Sequence, residues 1–203
     1  MLEKGDSKVP GLSSLEEDKW KDIREGVRTL CLNFSGEYWR KLDNNREYPE
    51  KFVKALTKAG YLACLIPEEY GGSGLPLQAA CVILEEIQRS GGNGAACHAQ
   101  MYIMGALLRH GSEEQKNKFL PKIASGELRL QAFGVTEPDA GTDTLSIKTK
   151  AEKKNNCYII NGQKVWTSRA EYSDLMLLLA RTSNKSSEKR TEGLSLFLIN
   201  IQK

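Results

Sequence analysis

The hydrophobic period of the chain changes once, near Leu128, and that change limits the folds open to it. Upstream, apolar residues recur at spacings of three and four, the pattern of helices with one buried face. Downstream they come in short runs and alternations that suit strands. Such a chain builds a helical part and then a sheet part. The expected fold class is α+β, an N-terminal all-α helical domain followed by an antiparallel β domain. The expected organisation is a flexible N-terminus over residues 1–12, a helical domain over 13–128 and a β domain over 129–203.

Local signals place the elements. Ser13 or Ser14, with Glu16 or Glu17 three residues on, makes a capping box. It opens a helix whose buried stripe is Trp20, Ile23, Val27, Leu30 and Phe34. A short helical piece covers 38–43. Pro49 starts the next helix at its first turn, with Phe52, Val53, Leu56 and Ala59 inward and Gly60 as its stop. Further helices are expected over 77–89 and 95–109, separated by Gly91-Gly92-Asn93-Gly94. Ser112 with Gln115 opens a last helix carrying Phe119, Leu120 and Ile123. Strands are expected over 130–135, 147–152, 158–165, 175–180 and 194–201, with Asn155-Asn156 as a hairpin turn and 183–192 as a polar loop.

The 40% apolar and 27% charged content is that of an ordinary globular protein. A net charge of +3, spread without a run of five basic residues, argues against nucleic acid as a partner. No apolar stretch reaches the roughly 18 residues of a membrane span. The five cysteines, Cys31, Cys64, Cys81, Cys97 and Cys157, are odd in number and contain no CxxC. Reduced thiols in a reducing compartment follow, the cytoplasm or the mitochondrial matrix.

The chemistry concentrates in residues 133–143. These eleven residues hold two glycines, two threonines, a proline and three carboxylates, directly after an apolar run. A strand ending in such a loop presents N–H groups and hydroxyls with little side-chain bulk, as an anionic cofactor or nucleotide requires. The same residue types also build plain turns.

The residue strings are more specific. Gly134-Val135-Thr136-Glu137-Pro138 and then Gly141-Thr142-Asp143 resemble the flavin loop of the acyl-CoA dehydrogenase family. Ile160-Asn161-Gly162-Gln163-Lys164-Val165-Trp166-Thr167-Ser168 resembles that family's second flavin segment. Ile66-Pro67-Glu68-Glu69-Tyr70-Gly71-Gly72 resembles its link between early helices. The resemblance runs from about Leu15 to the end of the sequence.

It implies FAD as cofactor and an acyl-CoA thioester as substrate, desaturated between its α and β carbons. It also implies an electron-transferring flavoprotein as acceptor and a homo-oligomer. Phe133, Val135, Thr136, Gly141, Thr142, Trp166, Thr167 and Ser168 fall on cofactor-binding positions, with Thr142 also touching the acyl-CoA. Val135 and Thr136 would bond the pyrimidine edge, and Trp166 would lie against the flavin ring. Ser168, where many members carry threonine, would place its hydroxyl near the reactive nitrogen. The family's acid–base carboxylate lies in a C-terminal helical region that this sequence does not reach, so no catalytic residue is carried over. The β domain is expected to be incomplete and FAD retention weak. A catalytically inactive binding or partner-dependent fragment is the alternative, as is a related acyl-CoA oxidase or flavin monooxygenase.

Rival motifs are weaker. Glu137 and Asp143 flank a Gly/Pro loop and are expected to fix its shape, not to act as acid and base. His98 and His110 have no serine elbow or clustered Cys or Asp, so neither a triad nor a metal site is supported. His98 is expected to be buried and hydrogen-bonded. The glycines at 71–74 lack the following Lys-Ser/Thr of a P-loop. Tyr70 and Met101 are candidates either for an acyl pocket or for the core.

Overall fold

The computed structural model describes residues 19–183 and 191–201; the expected capping box at 13–17 and most of the polar loop at 183–192 lie outside them. Six helices come first: α1 Lys21–Cys31, α2 Gly36–Asn45, α3 Glu50–Lys58, α4 Leu77–Arg89, α5 Ala95–His110 and α6 Glu113–Ser125. Five strands follow: β1 Leu130–Gly134, β2 Lys150–Lys154, β3 Cys157–Asn161, β4 Leu175–Arg181 and β5 Leu194–Asn200. None of the described helices is long and apolar enough to cross a membrane.

Local chemistry sets the helix ends. Ser112 Oγ accepts from the Gln115 N–H at 3.2 Å while Gln115 Oε1 accepts from the Ser112 N–H at 3.0 Å, a reciprocal cap on α6. Gly126 closes that helix at φ 80°, a left-handed conformation that other residues adopt at a cost.

Two apolar clusters fill the interior. Val27, Phe52, Leu56, Ile83 and Ile87 join α1, α3 and α4. Ile66, Ile103, Met104, Leu120 and Ile123 extend onto Leu130 and Leu175, so α5 and α6 share one core with β1 and β4. Tyr70 and Met101 are buried in these clusters. The face of α1 that meets α4 also carries a charge. Glu86, fully buried, accepts from Arg24 Nη1 at 2.7 Å and from Arg28 Nη2 at 2.9 Å. Burial alone would raise the Glu86 pKa, but the two guanidinium groups hold it below the usual carboxylate range.

The sheet is mixed, not purely antiparallel. β4 is central. β5 runs antiparallel along one edge, from Leu175 opposite Asn200 to Arg181 opposite Leu194. β1 and β2 share the other edge, both parallel to β4, and β3 pairs antiparallel with β2 through a turn at Asn155, φ 53°. The hairpins follow the expected antiparallel pairing. The β1–β4 pair does not, because the intervening chain leaves through the loop and hairpin and re-enters from the same end.

Two strands are shorter than their pattern. The expected strand over 147–152 begins only at Lys150, because the Lys148 and Thr149 N–H groups bond to Glu137 while Arg181 holds the Leu145 and Ile147 carbonyls. The one expected over 158–165 stops at Asn161, and the Val165 N–H goes to the Thr136 carbonyl at 2.9 Å. In both cases backbone groups leave the ladder for loop partners.

Candidate functional site

The loop after β1 is built on Glu137, which is only 6% exposed. Its Oε2 accepts from the Lys148 N–H at 2.6 Å. Its Oε1 accepts from the Thr149 N–H at 2.9 Å, from the Thr149 hydroxyl and from Lys164 Nζ at 2.9 Å. Burial would push the carboxyl pKa up, but the Thr149 hydroxyl, the two N–H groups and the Lys164 ammonium together lower it to about 2. A backbone bridge between Glu137 and Ala140 closes the turn, and Ser146 bonds to Asp143 on its far limb. Glu137 and Asp143 thus shape the loop, the role expected of them.

Lys164 ties this loop to the second segment. Its Nζ donates to the Val135 carbonyl at 2.9 Å as well as to Glu137, and Val165 N–H donates to the Thr136 carbonyl. Gly162 permits the approach, since a Cβ there would meet Thr149 Oγ1 at 2.3 Å. The chain then turns outward. Trp166 sits at φ 60° with 88% of its surface exposed, and Arg169 at φ 61°. A large indole held outward from a left-handed backbone position gains nothing from the core.

The structure therefore brings Val135 and Thr136 beside the residues that precede Trp166, Thr167 and Ser168. The carbonyls of Val135 and Thr136 are spent on this frame. The Thr136 N–H and hydroxyl and the exposed Ser168 hydroxyl have no hydrogen-bond partner among the described residues. The Thr167 hydroxyl is buried, also without one. Phe133 is half-buried, its ring 6.2 Å from Tyr102 of α5. Gly141 and Thr142 stand on the exposed limb, where a Cβ on Gly141 would meet nothing within 4 Å. No bond among the described residues links these two to segment 166–168.

One expectation is corrected. His98 is exposed, not buried, and its ring lies 4.9 Å from Tyr102. Sequence reading also missed Lys164 and Thr149 as the loop's inner supports. Lys164 lies inside the second recognised string, and its charge beside Val165 is the signal that could have marked it. Thr149 gives none. Of the cysteines, Cys31, Cys64 and Cys97 are buried, Cys81 and Cys157 exposed, and all are unpaired. Among the described residues no group of three His, Cys, Asp or Glu could hold a metal ion. Clefts also open away from the loop, one of about 610 Å³ between Trp39, Arg46 and Gln88, another of about 560 Å³ between Lys54, Arg129 and Tyr172.

Helices packed onto the first strand of a mixed sheet, with a Gly/Thr loop locked to a segment that bares its tryptophan, define a helix-then-sheet class with unspent polar groups at a strand end. The chain belongs to the acyl-CoA dehydrogenase family, a family of FAD flavoprotein oxidoreductases: the family's N-terminal domain matches residues 17–127 and its middle domain residues 132–203.

Among curated proteins it is similar to a glutaryl-CoA dehydrogenase of Desulfococcus multivorans, 35% identical over 185 residues, covering 88% of this chain and 45% of the relative. It is similar also to a mitochondrial isovaleryl-CoA dehydrogenase of Pongo abelii, 33% identical over 199 residues, covering 96% and 45%. Among solved structures, an acyl-CoA dehydrogenase from Geobacillus kaustophilus superposes with a TM-score of 0.82 at 27% identity, over 91% of this chain and 48% of that one. The chain spans about half the length of the relatives it matches.

Proposed function

We propose that this chain forms the flavin- and acyl-facing wall of an FAD-dependent acyl-CoA dehydrogenase, with residues 13–128 as its helical domain and 129–203 as its β domain. One observation carries the reading. Lys164 and Glu137 lock the two recognised segments together, yet the Thr136 N–H and hydroxyl, the Ser168 hydroxyl and the Trp166 indole are left unspent. A frame so fully bonded on its inner side and so open on its outer side fits a planar heteroaromatic ligand with hydrogen-bonding edges.

When bound, FAD supplies the hydride acceptor for oxidation of an acyl-CoA thioester between its α and β carbons. In this reading the residues bind and orient. The Val135 and Thr136 segment holds the pyrimidine edge, where its donors favour negative charge. Trp166 and Phe133 would hold the ring, with Thr167 beside them, and Ser168 would offer a hydroxyl to it. Gly141 lets the backbone approach a pyrophosphate, and Thr142 reaches both cofactor and acyl-CoA. No residue of this chain is assigned as the base that takes the α proton. An electron-transferring flavoprotein as acceptor, a homo-oligomeric assembly and a cytoplasmic or mitochondrial-matrix setting belong to the same reading.

The test is the visible spectrum of the purified chain titrated with FAD, then with acyl-CoAs under anaerobic conditions. A protein-bound flavin band that bleaches supports the reading. A bound band that never bleaches reduces it to a cofactor- and acyl-CoA-binding module, the alternative suited to a chain half the length of its relatives. No bound flavin overturns it for this chain.

A further inference from the structure

Two peptide groups flank Thr136, and together they carry four polar groups. Lys164 Nζ donates to the Val135 carbonyl at 2.9 Å. The Val165 N–H donates to the Thr136 carbonyl at 2.9 Å, and the Glu137 N–H donates to the Ala140 carbonyl at 3.0 Å. The fourth group, the Thr136 N–H, has no partner among the described residues. The frame therefore leaves one donor over, on a residue that is only half-buried.

That donor shares a peptide with the carbonyl that Lys164 holds. No described peptide bond is cis, and in a trans peptide the C=O and N–H point to opposite sides of a rigid plane. A bond that fixes the Val135 carbonyl thus fixes the direction of the Thr136 N–H, away from Lys164. The ammonium also polarises the amide. A charge-assisted hydrogen bond is roughly twice as strong as a neutral one, and bonds in a chain strengthen one another by about 10–30%.

The lysine is held in this place. Its side chain is 8% exposed, and its Nζ is anchored a second time by Glu137 Oε1 at 2.9 Å. Its stem runs beside Gly134, where a Cβ would stand 3.4 Å from Lys164 Cγ and 3.1 Å from Met176 Sδ. Ammonium and carboxylate sum to no net charge, so what reaches the outer side of the loop is carried by the peptide.

We propose that Lys164 is a positioning residue that acts through the Val135–Thr136 peptide, aiming the Thr136 N–H outward and strengthening it toward an edge of the bound cofactor that gains negative charge on reduction. The inference rests on the FAD reading above and adds a role in setting the cofactor's reduction potential. A donor fixed and strengthened in this way favours the form that carries more negative charge.

The experiment measures the dissociation constants of oxidised and reduced FAD, and the midpoint potential of the bound flavin, under anaerobic conditions. It compares wild type, Lys164→Met, Lys164→Arg and the double variant Lys164→Met/Glu137→Gln, with circular dichroism confirming that each folds. Lys164→Met is expected to weaken reduced FAD about tenfold more than oxidised FAD, which lowers a two-electron midpoint potential by about 30 mV. Lys164→Arg, which can still donate to the Val135 carbonyl, is expected to recover most of that shift. The double variant, which keeps neither charge of the pair, is expected to stay low. In the flavin-free chain the nitrogen resonance of the Thr136 amide is expected to move in Lys164→Met and to return toward wild type in Lys164→Arg.

Equal weakening of both forms with an unmoved potential makes Lys164 a support of the loop alone, which overturns the proposal and leaves the FAD reading standing. A wild-type potential in the double variant assigns the shift to the uncompensated charge of Glu137 and overturns it too. An unmoved Thr136 resonance in flavin-free Lys164→Met overturns it even where that variant binds no flavin. A wild-type chain that binds no FAD overturns the FAD reading and this inference together.

Discussion

The α1–α4 interface and the seam between α5 and β1 both bury charge, and they treat it in opposite ways. Glu86, at 0% exposure, is matched by Arg24 and Arg28, with Glu85 taking a further bond from Arg24 at 2.8 Å. That network closes on its carboxylate within the chain, with Arg24 Nε alone left unpartnered. Around Phe133 the carboxylate Glu137 is equally well matched by Lys164, Thr149 and Lys148. Elsewhere on β1 and on the second segment, Arg129, Gln131 and Thr167 carry unpartnered atoms, and Arg169 has no counter-ion among the described residues. The first interface satisfies its buried carboxylate and leaves one guanidinium nitrogen open. The second is a finished frame around an unfinished surface, the arrangement expected where something outside the chain completes the bonding.

The largest effect that would break this contrast is expected at Glu137. Glu137→Ala removes the acceptor for two backbone N–H groups and a hydroxyl, and strands Lys164, whose side chain is 8% exposed. A loss near the top of the roughly 3–5 kcal/mol range for an unpaired buried charge is expected, with loss of FAD binding. Glu86→Ala leaves Arg24, whose side chain is 9% exposed, with Glu85 as its remaining carboxylate and removes the carboxylate that Arg28 bonds, and is expected to cost about 3 kcal/mol, the bottom of that range, while leaving FAD affinity, measured on the folded fraction, unchanged. Urea unfolding with a parallel flavin titration separates the two. If Glu86→Ala also abolishes FAD binding at temperatures where the chain is folded, the helical network is not independent of the site.

Acid sharpens the contrast. The Glu137 carboxyl titrates at about 2 in the folded chain against an ordinary 4.5. Its contribution is complete above about pH 4.5 and is lost as pH falls toward 2. With 1.36 kcal/mol per unit, about 3 kcal/mol of stability is at stake in that window. The Glu86 carboxyl is held below its ordinary range as well, so both carboxylates weaken the wild-type fold as they protonate. Glu137→Gln is expected to flatten only its share of the acid limb in denaturation curves taken from pH 5 to pH 2. An unchanged limb would mean that Glu137 is not bonded as described.

What the sequence made legible follows the same divide between local and distant bonding. The bounds of α4, the cap of α6 and the turn at Asn155 come from residues close in the chain, and they were readable from period and residue type. The parallel β1–β4 pairing joins residues 45 apart at Leu130 and Leu175, and the antiparallel expectation missed it. The shortened β2 and β3 were missed for a related reason. The groups that draw Lys148, Thr149 and Val165 out of the ladder are Glu137 and Thr136, which a strand pattern cannot register. At the candidate site, contiguous strings single out residues 133–142 and 166–168 for the proposed cofactor role. The Lys164 bridge joining them depends on side chains meeting across elements. His98 was misread because a histidine amid an apolar helix says nothing about which flank of α5 it occupies.

The smallest stability effect is expected where the functional effect is large. Trp166 is 88% exposed, so Trp166→Ala removes no core contact, and the chain without flavin is expected to change by less than about 0.5 kcal/mol. If the indole covers a bound flavin, the same substitution forfeits an aromatic stacking contact of about 0.5–1.5 kcal/mol, and FAD affinity falls up to roughly tenfold. Thermal unfolding and flavin titration of one variant measure both quantities. A variant that melts several degrees early but binds FAD normally would make Trp166 a structural residue of the segment. A variant that melts like wild type and binds flavin more weakly places the indole among the unfinished contacts of the surface.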